Sequence, residues 1–461
     1  MRKKWITLLL SSVLICTAFA GCSSKDSAQK ASQNDETQTE TPKDSEETND
    51  IEAADLYYEE PVKITVLIDT DAQGTYGDAW DAIAERLEEK YNIIVEFENK
   101  PNGTEGDNLV KTRLAAGEMT DILFYNAGAL FKVLNPEEYF LDLSDQEFTS
   151  KLDETYLESV TVDGKTYGVP GASSTAGGIV YNKEIYEELN LEIPLTWEEF
   201  LANCEVCKGA GYDGILGAYK DDWSSQYIIL SDNYNVIAEY PEFALDLEQN
   251  KAKFEDTEIA LRSWEKLSDS NAYLNSDYLA TNIMDGIDKM LGFEAVHWPI
   301  TSQLFAYFRD LSSADDANKF GFFALPGDHE DSNGVTVWMP SSWYISNTSE
   351  NQEAALKFME FYISDEGMEI FKEYCGADGP FLVEGIELPE DTLDGVKDLQ
   401  KYFDDGNTTL ALEFMTSLKG ASAAQICAEC GSGSMSAMEA AKVYDDDCTK
   451  MAQQLGLEGW E

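Results

Sequence analysis

Histidine is nearly missing: His297 and His329 are the only two. No H-E-x-x-H helix, no G-x-x-x-x-G-K phosphate loop and no G-x-S-x-G elbow occurs. Gly171-Ala172-Ser173-Ser174-Thr175 fails the elbow pattern at its fifth position. Basic residues are scarce as well, 32 Lys and Arg against 88 Asp and Glu, for a formal charge of −56 at pH 7. Nucleic acid and anionic membrane surfaces are held by clustered Lys and Arg, so the body of this chain is suited to neither. The acid excess reads as a solvated surface for the outside of a cell. Among so many carboxylates, a chance pair spaced for glycoside hydrolysis carries almost no information.

A long apolar run occurs at the N-terminus, where Arg2, Lys3 and Lys4 precede Trp5 to Ala20. That pattern is a secretory signal, too short and wrongly flanked for a mature membrane helix. Phe19-Ala20-Gly21-Cys22 closes it and resembles the bacterial lipobox. The resemblance implies cleavage after residue 21 and a lipid thioether on Cys22, whose acyl chains hold the protein at a membrane. Residues 22–59 are rich in Ser, Gln, Thr, Asp and Glu, with few large apolar side chains. Such a segment cannot bury enough surface to offset its ordering entropy and reads as a disordered tether.

Eight cysteines are present. Cys16 leaves with the signal and Cys22 is the lipidation site, leaving Cys204, Cys207, Cys375, Cys427, Cys430 and Cys448. An even number outside the cytoplasm permits disulfides. The two C-x-x-C pairs also match zinc half-sites, although Cys204 and Cys207 fall in a helical pattern, where they share a face. Free thiols are the third reading. Neither metal nor cofactor is expected.

From Pro61 the chain alternates strands and helices, which implies an α/β fold with a largely parallel sheet. Val62 to Ile68 and Ile93 to Glu98 read as strands, and Asp121 to Tyr125 as a third. Ala79 to Tyr91 and Asp107 to Gly117 read as helices. Asp69-Thr70-Asp71-Ala72-Gln73-Gly74 looks like the start of a calcium loop, but Trp80 stands where a bidentate Glu is required. The better reading is a strand-to-helix loop at the carboxyl end of a sheet, where α/β folds gather ligand groups. Further on, Trp197 to Ala210, Phe254 to Leu279, Gln352 to Phe371, Thr408 to Cys427 and Ser436 to Leu455 read as helices. Asp213 to Ala218 and Phe320 to Pro326 read as strands.

The stretch from Val162 to Phe200 organises the rest. Asp163-Gly164 is a hairpin turn signal. Tyr167-Gly168-Val169-Pro170 must be extended before its proline. Small residues from Gly171 to Gly178 follow, then a strand at Ile179-Val180-Tyr181, as suits a chain leaving one lobe for another. Asn182 caps a helix of Lys183 to Leu189, and Thr196 opens the next with an acidic first turn.

Gly164-Lys165-Thr166-Tyr167-Gly168-Val169-Pro170, Tyr181-Asn182-Lys183 and Thr196-Trp197-Glu198-Glu199-Phe200 resemble a segment of the extracellular solute-binding proteins of ABC importers. The group is family 1, the carbohydrate binders typified by maltose-binding protein. TRLAAGEMTDILFYNAG, Asp221-Asp222-Trp223 with Tyr227, Gly292 to Trp298 and Gly334 to Asn347 are similar to further family segments in order. The resemblance implies a two-lobe α/β, periplasmic-binding-protein-like fold of class II type, with hinge crossings and a ligand cleft between lobes. The expected boundaries are 1–21 for the signal peptide and 22–59 for the linker. Residues 60–170 with 336–378 form the N-terminal lobe, and 171–335 with 379–461 the C-terminal lobe.

A sugar site needs flat apolar surface for the ring and planar polar groups for the hydroxyls. Expected stacking residues are Trp223, Tyr227, Trp298 and Trp343. Expected hydroxyl partners are Asp71, Gln73, Asn126, Ser173, Asp222 and Ser342. Trp338, alternating with Val335 and Val337, is read as core, as are Trp264 and Leu267. The implied protein is a monomeric lipoprotein on the extracellular face of the bacterial cell membrane, without catalytic residues. It would capture a sugar or oligosaccharide and present it to ABC permease subunits. A polyamine is the second ligand. The competing classes are a surface-anchored polysaccharide hydrolase and a structural adhesin.

Overall fold

The computed structural model describes residues 57–101 and 103–460. The expected signal peptide, Cys22 and nearly all of the expected tether lie outside the described residues.

Strand β1 (Val62–Asp69) pairs in parallel with β2 (Ile93–Lys100) and with β3 (Ile122–Tyr125). Between β1 and β2 runs a helix from Thr70 to Tyr91. The sequence reading placed a loop at 69–78 and began this helix at Ala79. The helix instead starts directly off β1, because Gly77, Trp80, Ile83, Leu87 and Tyr91 form a buried stripe at helical spacing. Asp71 lies in its positive first turn.

The hairpin of β4 (Thr161–Val162) and β5 (Lys165–Thr166) turns at Asp163 and Gly164, both at positive φ as a type I′ turn requires. Strand β6 (Gly168–Pro170) then joins the first sheet, and β7 (Thr175–Asn182) enters a second. Asn182 caps the Lys183–Leu189 helix by accepting from Ile185 N–H, and Thr196 with Glu199 forms a full capping box.

Strands β8 (Asp213–Ile215), β9 (Ala295–Thr301), β10 (Phe320–Phe323) and β11 (Val335–Trp338) belong to the second sheet. Strand β12 (Ser342–Ile345) returns to the first, and β13 (Thr408–Leu410) closes the second. The first sheet is ordered β2-β1-β3-β12-β6, and the second β13-β11-β7-β9-β8, with β10 also on β7. The parallel character expected from the alternation holds for β2-β1-β3. β12 and β6 are antiparallel additions, and β7 is antiparallel to β9, β10 and β11.

Three further helices are shorter than expected. Gln352 to Phe371 breaks at Ile363, where Ser364 caps a new helix by accepting from Gly367 N–H. Phe254 to Leu279 is helical over Glu258–Ser270 and a following 3-10 turn, ending in the polar run Ser268-Asp269-Ser270-Asn271. Thr408 to Cys427 is a strand at Thr408–Leu410, a short helix at Leu412–Met415 and a helix at Ala423–Gly431. Its β-branched Thr408 and Thr409 pair with β11, which overrides the helical reading.

The chain passes between the sheets at 171–174, at 339–341 and again after the Asp365–Cys375 helix. These crossings lie side by side. Gly171 N–H donates to Ser341 O at 3.0 Å, and Ser174 N–H to Pro380 O at 3.0 Å. Gly379 has no room for a side chain, since a Cβ there would sit 2.3 Å from Ser174 O. Among the described residues no helix is long and apolar enough to cross a membrane. All six cysteines outside the N-terminal segment are free, and five are buried.

Candidate functional site

The carboxyl ends of β1, β2 and β3 and the three crossings meet at one place. A cavity of about 200 Å³ there is lined by Asp69, Tyr76, Ser173, Gln303, Trp338 and Asp378, among others. A hollow of about 380 Å³ adjoins it along the first sheet and shares Asp69, adding Asp71, Lys100, Asp107 and Asn126. Position follows from topology: residues just past parallel strands present side chains and backbone groups that no ladder consumes.

The polar groups of the first wall are tied to one another. Lys100, 3% exposed, forms an ion pair with Asp69 and lies over the Tyr125 ring. Tyr125 O–H donates to Asp107 at 2.8 Å. Asp71 and Asn126 are exposed, and Gln73 is half-buried beside Asn99. At the hinge, Asp378 N–H donates to Ser173 Oγ at 3.1 Å, and Ser302 Oγ donates to Asp378 O at 2.7 Å.

The Asp378 carboxyl is half-buried and its pKa is raised, chiefly by desolvation, with Arg309 opposing. Burial, then the nearby Asp378 and Cys375, pushes the Tyr76 hydroxyl up to about 12. The Cys375 thiol is pushed up to about 11, first by burial and then by Asp378 and Asp78. Both therefore stay protonated at neutral pH, so Tyr76 is a neutral hydroxyl and Cys375 is no nucleophile. Among the described residues no cluster of His, Cys, Asp or Glu is placed to hold a metal ion.

The second wall is aromatic. Trp223, 45% exposed, meets Tyr227 edge-on at 5.8 Å between centroids, and Tyr227 meets Trp338 at 6.2 Å. The row runs from solvent to the cavity. Asp222 is exposed beside Trp223 at the start of a 3-10 turn. Trp338, read from the sequence as core, is half-buried and lines the cavity, with its indole N–H donating to Glu413 at 2.7 Å. The signal was present in the sequence. Val335 and Val337 occupy one face of the strand, so Trp338 belongs to the other. Tyr76 was missed because its helix was read as loop. Asp378 was missed because nothing local marks a hinge carboxylate.

The structure thus brings Asp71, Asn126 and Ser173 together on the cavity and hollow. Trp223 and Tyr227 are joined to them through Trp338. Three expected residues lie elsewhere. Trp343 is wholly buried, its ring 4.5 Å from Phe124 and 5.1 Å from Trp80. Trp298, 1% exposed, packs onto Gly286, where a Cβ would lie 2.7 Å from its ring. Ser342, also buried, accepts from Tyr156 O–H at 2.9 Å. β9 and β12 are covered on both faces, so all three are packed interior, while Ser341, just before β12, lines the cavity.

A family model described as bacterial extracellular solute-binding protein matches residues 82–382. The multiple sugar-binding protein of Streptococcus mutans is 24% identical over 60% of this chain and 66% of its own length. An uncharacterized ABC transporter extracellular-binding protein of Pyrococcus horikoshii is 26% identical over 52% of this chain and 51% of its own. The chain thus spans about two thirds and about half of these curated relatives. The solved structure of the solute-binding protein RafE in complex with raffinose superposes with a TM-score of 0.64 at 20% identity. It covers 85% of this chain and 100% of that one, a likeness of fold. With the matched model covering more than half its length, the chain belongs to the bacterial extracellular solute-binding protein family.

Proposed function

We propose that the protein captures a neutral sugar or short oligosaccharide in the cleft between its two sheets and presents it to the permease of an ABC importer. The observation that carries this reading is the aromatic row Trp223–Tyr227–Trp338, which leads from solvent into a cavity rimmed by carboxylate, amide and hydroxyl groups. Flat apolar faces match the C–H face of a pyranose, and the polar rim matches its hydroxyls. Trp223, Tyr227 and Trp338 are assigned to stacking, and Asp71, Gln73, Asn126, Ser173 and Asp222 to hydroxyls. The work done on the solute is binding and hinge closure, with no bond made or broken. The sugar-binding name of the streptococcal relative and the raffinose of the RafE complex support the ligand class. The name of the archaeal relative supports the importer.

Lipid attachment at Cys22 and a tether over 22–59 place this monomer on the outer face of the cell membrane. Replacing Cys22 with Ser should release the protein into the medium, while cell-associated protein that persists would remove the anchor from this account.

One observation favours a second ligand, a polyamine. The cavity and hollow are lined by Asp69, Asp71, Asp107 and Asp378, with Asp222 and Glu413 beside the aromatic row. Lys100 is paired with Asp69, Lys419 with Glu413, and Arg309 acts on Asp378. Thermal unfolding against mono- and oligosaccharides and polyamines tests both readings. A ligand bound only by the native state stabilises it by about 2.7 kcal/mol at a hundredfold excess over Kd. A midpoint raised by one sugar group supports the proposal, and one raised by polyamines alone keeps the fold and replaces the ligand. No shift, with product released from a glycan, means an enzyme.

A further inference from the structure

The Leu412–Met415 helix touches both lobes. It follows β13, whose strand pairs with β11, and Ala411 N–H donates to Val337 O at 2.9 Å. Glu413 reaches Trp338: its Oε1 accepts the indole N–H at 2.7 Å, and its Oε2 accepts from Lys419 Nζ at 2.6 Å. The carboxylate is thus held at both oxygens. The indole has a second constraint, since its benzene edge rests on the backbone of Gly177, where a Cβ would lie 2.7 Å from Cζ3. The next residue, Phe414, seats against Gly128 of the first lobe. A Cβ on Gly128 would stand 2.6 Å from the Phe414 Cα, and Gly128 itself holds φ 68° and ψ −140°, which a side chain disfavours. Nearby, the Thr155 and Thr408 hydroxyls meet across the same seam at 2.8 Å.

We propose that this helix couples the stacking surface to the contact between lobes: Glu413 is a positioning residue that fixes the plane of Trp338, and Phe414 on Gly128 sets where Glu413 stands. The inference rests on the cleft being the ligand site. The physical gain is preorganisation. A half-exposed indole samples several rotamers and must lose them when a ring stacks upon it. A charge-assisted hydrogen bond removes that freedom beforehand, so less of the stacking energy is lost on binding. Because Glu413 and Phe414 are adjacent on a short helix, movement of the lobes at Gly128 is transmitted to the indole by one rigid turn.

The test uses the whole chain with the Trp338 indole N–H resonance, identified by its loss in Trp338→Phe. Glu413→Ala should move that resonance in the ligand-free protein, while Glu413→Gln, which keeps an acceptor oxygen, should move it less. Phe414→Ala should move it too. With raffinose as probe, Glu413→Ala should weaken binding about tenfold and Glu413→Gln about twofold or less, as one hydrogen bond to a charged group warrants. In a Trp338→Phe background the Glu413→Ala loss should vanish. An indole resonance unmoved by Glu413→Ala overturns the positioning role, and one unmoved by Phe414→Ala overturns the coupling. Losses that add in the double variant overturn it as well. Should no sugar bind while both Glu413→Ala and Phe414→Ala move the resonance, the coupling stands and the ligand assignment falls.

Discussion

His297 should make the protein lose stability in mild acid, by an amount the structure sets. The side chain is fully buried in the second lobe. One ring nitrogen, Nδ1, lies 2.6 Å from Gly214 O, and Nε2 lies 2.7 Å from the Tyr186 hydroxyl. The neutral ring fits this slot with Nδ1–H donating to the carbonyl and Nε2 accepting from Tyr186. Burial outweighs the Gly214 carbonyl and lowers the pKa from 6.5 to about 4. The unfolded chain therefore binds the proton more readily, and stability is lost as pH falls from 6.5 towards 4. Across that gap the loss is on the order of 3 kcal/mol. Asp445 works in the opposite direction. Buried, and accepting from Phe254 and Glu255 N–H, its carboxyl is raised from 3.8 to about 6, so acidification through that window favours the folded state. The wild-type curve mixes the two, and the difference from a variant isolates one. His297→Gln should be less stable by roughly 1–3 kcal/mol near neutrality, for hydrogen bonds lost or bent. That deficit should shrink and then reverse near pH 4. Urea unfolding followed by circular dichroism at successive pH values measures it. A deficit that stays constant with pH refutes the reasoning.

Trp338→Ala should weaken sugar binding about tenfold or more, the value of burying one aromatic face, with little change in the unfolding midpoint, read by calorimetry of both events. Trp343→Ala, by contrast, should cost about 3–5 kcal/mol of stability, because it empties a packed core. Lys266 and Asp232 are an ion pair with neither side chain exposed, 2.6 Å apart, supported by Ser263, Asn235 and the Pro326 carbonyl. Lys266→Met should destabilise by about 3–5 kcal/mol, since it strands a buried carboxylate, and adding Asp232→Asn should recover part of that in denaturant titrations. Gly379→Ala should drive a methyl into Ser174 O, costing about 1–3 kcal/mol and weakening ligand binding by separating the crossings.

Elements with local signatures were legible in the sequence. The Asp163-Gly164 turn, the Asn182 cap and the Thr196–Glu199 capping box all form. The helix Trp197–Ala210 has the limits its pattern implied. Failures came where a tertiary contact outweighed a local signal. Gly74 and Gly77 read as loop, but Gly77 is buried on the helix face that packs Trp80 into the core. Thr408 to Leu410 read as helix until β11 offered a partner strand. Tryptophan was hardest to place. Trp298 and Trp343 sit on strands covered on both faces, whereas Trp338 ends β11 and stays half-buried. Which strands are covered on both faces depends on elements that lie far away in the chain.

The acidity of the walls separates the two ligand readings without knowledge of which sugar is bound. The proposed hinge closure would bring the unpaired carboxylates Asp71 and Asp107 of one wall towards Asp222 of the other, whereas Asp69 and Glu413 are held by Lys100 and Lys419. Like charges approaching one another oppose closure, and that opposition is screened over about 30 Å at 0.01 M salt but about 10 Å at 0.1 M. A neutral saccharide adds no charge to offset the repulsion, so its affinity should rise as salt is added. A polyamine bridges the carboxylates, and its affinity should fall over the same range. The two signs are opposite, so a single binding series between these salt concentrations decides. Affinity that falls with salt for the ligand giving the largest thermal shift would refute neutral-sugar capture, and affinity that rises would leave the polyamine without support.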